Sequence, residues 1–325
     1  MCTAISFKTK DHYFGRTLDL EYHYNESVVV TPRKYPFKFT NQKESKNHFA
    51  LIGIATIMDG YPLYYDATNE TGLSMAGLNF PGNAVFHPVD ESKDNVAPFE
   101  FIPYILTQCK SVAEAKVLLG NINIADINFR PDLKASPLHW IISDKNESIT
   151  VESVKDGLKI YENPVGVLTN NPPFDWQITN LANYINLTTE EPENTFAPSA
   201  DISAFAKGMG AIGLPGDLSS VSRFVRATFT KLNSVCGESE EESVTQFFHI
   251  LSTVEHTRGC VHLGDGKYEI TVYTSCCNTD KGIFYYTTYE NRQICAVDMN
   301  KENLYKKELI EYPLTTVPEF KDINH

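Results

Sequence analysis

A cysteine at residue 2 is the side chain of this sequence best placed to do covalent chemistry. A thiol attacks only as its thiolate, so it needs a base within reach. If Met1 is removed, Cys2 carries that base itself, because a free α-amine has a reference pKa of roughly 7.7–8.0, close to working pH. One residue then supplies both nucleophile and base. Removal of Met1 is expected because the second side chain is small. The plainer alternative is that Cys2 merely opens a strand, Thr3-Ala4-Ile5-Ser6-Phe7.

The stretch Gly15-Arg16-Thr17-Leu18-Asp19 adds partners. A polar turn from Lys8 to His12 would fold Tyr13 to Leu20 back as a hairpin. That hairpin would lay Arg16 and Asp19, near the start of the second strand, beside Cys2. A guanidinium there favours thiolate, and a carboxylate can hold the amine. The alternative is a surface salt bridge between Arg16 and Asp19. Other motifs carry less. Gly208-Met-Gly210-Ala-Ile-Gly213 has the spacing of a dinucleotide fingerprint, but Leu214-Pro215-Gly216 would stop the helix that such a fingerprint opens. It reads as a glycine-rich loop. His249, His256, Cys260 and His262 lie close together, but their spacing fits no metal site. Neither metal nor cofactor is expected. A Cys-His pair hidden among nine histidines stays open.

The elements that must position these residues alternate in blocks. Strands are expected at His48 to Met58, Tyr61 to Asp66 and Leu73 to Asn79, with a turn at Asn69 to Gly72. Helices follow at Pro98 to Gln108 and, behind the capping box Ser111-Val-Ala-Glu114, to about Asn121. A second β block spans Leu138 to Leu168. Helices are expected at Asp175 to Leu187, Ser219 to Val235 and Glu242 to His256. Tyr268 to Cys276 and Gly282 to Thr288 form a last hairpin, followed by Gln293 to Asp298. The acidic run before Glu242 reads as a solvated loop or a helix N-terminus. Without a repeat or a linker, this order suits an α+β domain of antiparallel or mixed sheets covered by helices.

Bulk properties exclude several classes. The 325 residues are 42% hydrophobic and 21% charged, an ordinary globular composition. A net charge of −13 argues against nucleic acid as a partner and means that an anionic substrate must be met by locally placed Arg or Lys. There is no run of ~18 apolar residues to insert in a membrane, and MCTAISFKTKDH lacks the apolar core of a secretory signal. Seven scattered cysteines with no C-x-x-C pair suit free thiols in a reducing, cytoplasmic setting.

The stretches MCTAI, YFGRTLDLEY, GLSMAGLNFPGNA, GVLTNNPPFDWQITNL, GLPGDLSSVSRFVRATF and YYTTYENRQICAVDMNKENL, in that order, resemble the choloylglycine hydrolase family. That family of N-terminal nucleophile hydrolases contains bile salt hydrolases and penicillin V acylases, and the resemblance extends over nearly the whole chain. It implies one domain over residues 2–325, a four-layer αββα sandwich of two mainly antiparallel sheets, and a homotetramer. It implies Cys2 as nucleophile, Arg16 beside it, Asp19 holding the amine, Asn79 and Asn170 at the oxyanion, and Arg223 as second arginine. Asn171, next to Asn170, is the alternative oxyanion residue. Leu18, Tyr24, Met58 and Tyr65, with Asn79, match substrate-pocket positions, although the first four would also serve as plain apolar strand or loop residues. Asn at position 79 resembles the bile salt hydrolases, whereas penicillin acylases typically carry Tyr there. The expected activity is hydrolysis of glycine- or taurine-conjugated bile salts. The alternatives are a penicillin V acylase and a non-catalytic bile-acid-binding protein, which would need no nucleophile.

Overall fold

The computed structural model describes residues 1–41 and 47–324. The strands are β1 (Cys2–Lys8), β2 (His12–Leu20), β3 (Ser27–Thr31), β4 (Leu51–Met58), β5 (Tyr61–Asn69), β6 (Ser74–Asn79), β7 (Asp94–Val96), β8 (Ile122–Ile124), β9 (Leu138–Ser143), β10 (Ser148–Val154), β11 (Gly157–Glu162), β12 (Val167–Leu168), β13 (His262–Gly264), β14 (Lys267–Tyr268), β15 (Ile270–Asn278), β16 (Ile283–Thr288), β17 (Cys295–Asp298) and β18 (Ile310–Pro313). The helices are α1 (Phe101–Leu106), α2 (Val112–Leu119), α3 (Phe174–Asn180), α4 (Ser220–Asn233) and α5 (Glu240–Ser252).

Two antiparallel sheets dominate. The first has the order β12-β1-β2-β15-β16-β17, the second β11-β10-β9-β6-β5-β4-β3-β18. Strand alternation explains the layering. On the second sheet Val28, Val30, Ile52, Ile54 and Ile141 join the core shared with the first sheet, which also takes Phe224 of α4 and Phe247 of α5. Their neighbours Val29, Leu51, Trp140 and Ile142 face the other way, into a second core with Phe101 of α1 and Val112 of α2. The layers therefore run helix, sheet, sheet, helix, as expected.

The helix starts follow local chemistry. Ser219 caps α4 by accepting from the Ser222 amide, and Ser239 with Glu242 closes a full capping box on α5. The acidic run is thus the first turn of α5, where its charge suits the helix dipole. Three expectations shift. The segment from Asp175 is shorter than expected: α3 ends at Asn180 and passes into a 3-10 turn, Leu181–Tyr184. The apolar segment from Pro98 opens as a 3-10 turn before α1. β3 and β18, which pair at the edge of the second sheet, lie outside the expected strands. The Gly208 to Gly213 stretch is a loop holding one 3-10 turn, with Gly208 and Gly213 at positive φ.

Candidate functional site

Register places the chemistry. β1 and β2 close at Lys8 opposite His12, so Cys2 stands opposite Leu18 and Ala4 opposite Arg16. Arg16 and Asp19 lie in the second half of β2 rather than near its start; antiparallel pairing is what returns them to residue 2. Opposed side chains share a face, so Cys2, Leu18 and Arg16 look into one cavity. Asp19, an odd number of residues from Arg16, falls on the other face of the sheet. Both are fully buried, which removes the surface salt bridge as an account of either.

The cavity measures about 490 Å³, within the ~300–1,000 Å³ of small-molecule sites. Leu18, Tyr24, Met58, Tyr65 and Asn79 all line it. Leu20, Leu63, Phe99, Ile102 and Phe129 extend its apolar wall, and Lys134 and Ser136 add polar groups. The Tyr65 hydroxyl bonds Thr56 Oγ1 at 3.0 Å, and burial pushes its pKa up to about 12.

Arg16 is held almost entirely by backbone. Its Nε donates to the Thr17 carbonyl at 3.2 Å, and its Nη1 to the carbonyls of Tyr65, at 3.1 Å, and Gly77. The Tyr65 carbonyl is free to accept because of a bulge: Ile54 pairs with Asp66 and Ala55 with Tyr64, leaving Tyr65 out of the ladder. Nη2 is buried with no partner. Burial alone would depress this guanidinium, but the facing Cys2, Tyr273, Asp66 and Asp19 outweigh it and hold Arg16 above its ordinary range.

On the other side of Cys2 stand Asn170 and Arg223. Asn170 Oδ1 accepts from the Cys2 backbone nitrogen at 2.9 Å and from Arg223 Nη2 at 2.7 Å. Its Nδ2 donates to the Asn79 carbonyl at 2.7 Å. Asn171 points away, to the Pro81 carbonyl, so Asn170 is the member of the pair at Cys2. Arg223 Nη1 reaches the Cys2 carbonyl and Thr3 Oγ1, at 2.5 and 2.7 Å. It is fully buried, and that burial lowers its pKa against the pull of Asp19 and Cys2.

Asp19 does not take the terminal ammonium on its carboxylate. Its two oxygens accept from Thr17 and Thr271 hydroxyls at 3.1 and 2.6 Å. The Met1 ammonium instead donates to the Asp19 carbonyl at 2.6 Å and to the carboxylate of Glu269. Burial lowers this amine's pKa, with Cys2 and Asp19 opposing. Glu269, His256, Thr271, Tyr273 and Asp66 were missed by sequence reasoning. For Thr271 and Tyr273 the one available signal was the polar residues set into an otherwise apolar β15; the other three carried none.

Two antiparallel sheets between helix layers, with a cysteine opening β1 next to the edge of the first sheet, define an amide hydrolase of the N-terminal nucleophile fold. Residues 2–312 match the model of the linear amide C-N hydrolases, choloylglycine hydrolase family. The chain is 53% identical to a bile salt hydrolase/transferase of Lactiplantibacillus plantarum over 324 residues, covering 100% of both. A mutant conjugated bile acid hydrolase of Clostridium perfringens superposes with a TM-score of 0.92 at 39% identity, again over 100% of each chain. A penicillin V acylase of Agrobacterium tumefaciens shares the fold, with a TM-score of 0.74 at 19% identity over 96% of this chain and 90% of its own. The chain belongs to the choloylglycine hydrolase family.

Proposed function

We propose that the chain hydrolyses the amide bond of glycine- or taurine-conjugated bile salts, with Met1 removed and Cys2 as nucleophile. One observation carries the reading: Cys2 and Arg16, whose buried Nη2 has no hydrogen-bond partner, line the same apolar-walled cavity. A steroid body suits that wall, and the cationic Arg16 favours thiolate. The α-amine of Cys2 takes the thiol proton, and the thiolate attacks the amide carbonyl. Negative charge then develops on oxygen, where preset donors are worth several kcal/mol. Asn79 and Asn170 are the residues assigned to it. Asn170 must exchange its bond to the Asn79 carbonyl for one to the oxyanion, while its Oδ1 keeps the Cys2 nitrogen aimed. The amine returns its proton to the leaving glycine or taurine, and water then cleaves the acyl-cysteine. An amine in place of water would give acyl transfer, the second activity in the L. plantarum relative's name.

We place the enzyme in the cytoplasm of a gut bacterium, where its free cysteines would stay reduced. Among the described residues no helix is long and apolar enough to cross a membrane. A homotetramer is supported by the segment after α3, where Ile185, Phe196 and Phe205 are exposed by 86%, 95% and 89%. Light scattering at four chain masses is the expected result. The activity is tested by measuring taurine, glycine and phenoxyacetate released from matched bile salts and penicillin V. Taurine or glycine release should dominate. Faster phenoxyacetate release would make the chain a penicillin V acylase, and bile salt binding without release would make it a binder.

A further inference from the structure

We propose that Asp66 is a positioning residue for this chemistry, a buried anion on the second sheet that shares the charge of Arg16 with Cys2 and so limits how strongly Arg16 favours thiolate. The proposal rests on the reading of Cys2 as nucleophile. Asp66 is 1% exposed. Its carboxylate accepts from the Tyr273 hydroxyl at 2.6 Å and the Ser275 hydroxyl at 2.9 Å, both on β15 of the first sheet. Ser275 Oγ also accepts the Arg16 backbone N–H at 3.1 Å. Tyr65, the residue before Asp66, gives its carbonyl to Arg16 Nη1. Asp66 is therefore tied to Arg16 twice, through Ser275 and through its own chain.

A buried carboxylate with only neutral donors needs a compensating charge, and Arg16 supplies it. Burial pushes the Asp66 carboxyl up, while Arg16 and the two hydroxyls pull it back. Burial and Asp66 together hold the Tyr273 phenol far above its usual range, so it stays a donor. Arg16 is thus close enough to Cys2, Asp66 and Asp19 for each to act on its charge, so a Cys2 thiolate would share that charge with Asp66. Arg223 and the terminal amine face Cys2 from the opposite side, and Cys277 faces Asp66. Removing the Asp66 charge leaves these others in place and gives Cys2 a larger share of the Arg16 field. The thiol should then titrate at lower pH.

The test is iodoacetamide alkylation of Cys2 against pH, read by peptide mass spectrometry, in wild type, Asp66→Asn and Ser275→Ala, with near-UV circular dichroism confirming the fold. In Asp66→Asn the midpoint should fall by about one pH unit, which is about tenfold faster alkylation below both midpoints. Ser275→Ala weakens the anion without deleting it and should shift the same way by less. A purely packing role for Asp66 would lower stability and leave the titration of the folded protein unchanged. An unchanged or raised midpoint in folded Asp66→Asn overturns the proposal; if that variant does not fold, the same result in Ser275→Ala does so. Failure of wild-type Cys2 to alkylate at any pH, while exposed Cys260 reacts, would instead remove the nucleophile reading beneath it.

Discussion

The β1–β2 hairpin has a cavity at each end, and the larger one is the wrong place to look for catalysis. At the turn end about 590 Å³ is lined by Ser6, Lys8, His12, Ser148 and Lys231. These include a serine, a histidine and lysines, a set that invites a catalytic reading. Yet their polar groups are bonded. Ser6 Oγ meets His12 Nε2 at 2.9 Å, His12 Nδ1 meets Thr279 Oγ1 at 2.8 Å, and Ser143 meets Ser148 at 2.7 Å. Lys8 and Lys231 donate to the carbonyls of Lys145 and Val165. At the open end about 490 Å³ is lined by Cys2 and by Arg16, one of whose buried guanidinium nitrogens has no partner. Asn163 Oδ1 beside the larger cavity also lacks a partner, so what separates the two is the pairing of a thiol with a buried guanidinium, which neither volume nor a single unpartnered atom supplies.

That contrast is easiest to break by mutation. Cys2→Ser should abolish nearly all release of glycine and taurine, because a hydroxyl is far less acidic than a thiol. Ser6→Ala and His12→Asn, in the larger cavity, should leave kcat/KM within about twofold. Turnover surviving Cys2→Ser but lost in Ser6→Ala would exchange the roles of the two cavities.

Arg16→Ala should raise the pH at which Cys2 alkylates, and Arg16→Lys should raise it less. Lysine keeps the charge but loses the planar fork that meets the Thr17, Tyr65 and Gly77 carbonyls. Identical alkylation profiles in all three proteins would remove Arg16 as a thiolate stabiliser.

Asn170 allows a finer division. Asn170→Asp keeps an acceptor for the Cys2 nitrogen and Arg223 but cannot donate to an oxyanion, so kcat should fall by about 10²–10³. Asn170→Ala loses both tasks and should fall further. Equal losses would mean that the donor alone matters.

The smallest effect is on stability against pH. Burial holds His12 down to about 4 from its ordinary 6.5. The unfolded chain therefore binds the extra proton first. Stability should decline as pH falls from about 6.5 towards 4, with this contribution complete below 4. Chemical denaturation of His12→Asn should show a shallower decline over that window, and a slope equal to wild type would contradict the buried, neutral assignment.

Much of this was legible in the sequence because it rests on short-range rules. The hairpin turn at Lys8 to His12 set the register that brings Arg16 to Cys2, and Ser111 with Glu114 marked the start of α2. Distant partners were not legible. Asn170 and Arg223 reach Cys2 from 168 and 221 residues away, and only family resemblance pointed to them. The split of Arg16 and Asp19 onto opposite faces follows from strand alternation, but the bulge at Tyr65 that frees a carbonyl for Arg16 has no sequence mark. Nor do Glu269 and Asp66, single acids whose neighbours are set by the pairing of whole sheets.

The central claim is that one residue, Cys2 with a free amine, is both nucleophile and base. Mass spectrometry of fully active enzyme, intact and after acid quench during turnover of a conjugated bile salt, tests it most directly. The account predicts an intact mass lacking one methionine and a bile-acyl thioester on a peptide beginning at Cys2. Full activity with Met1 retained, or an acyl group on any other residue, would contradict it.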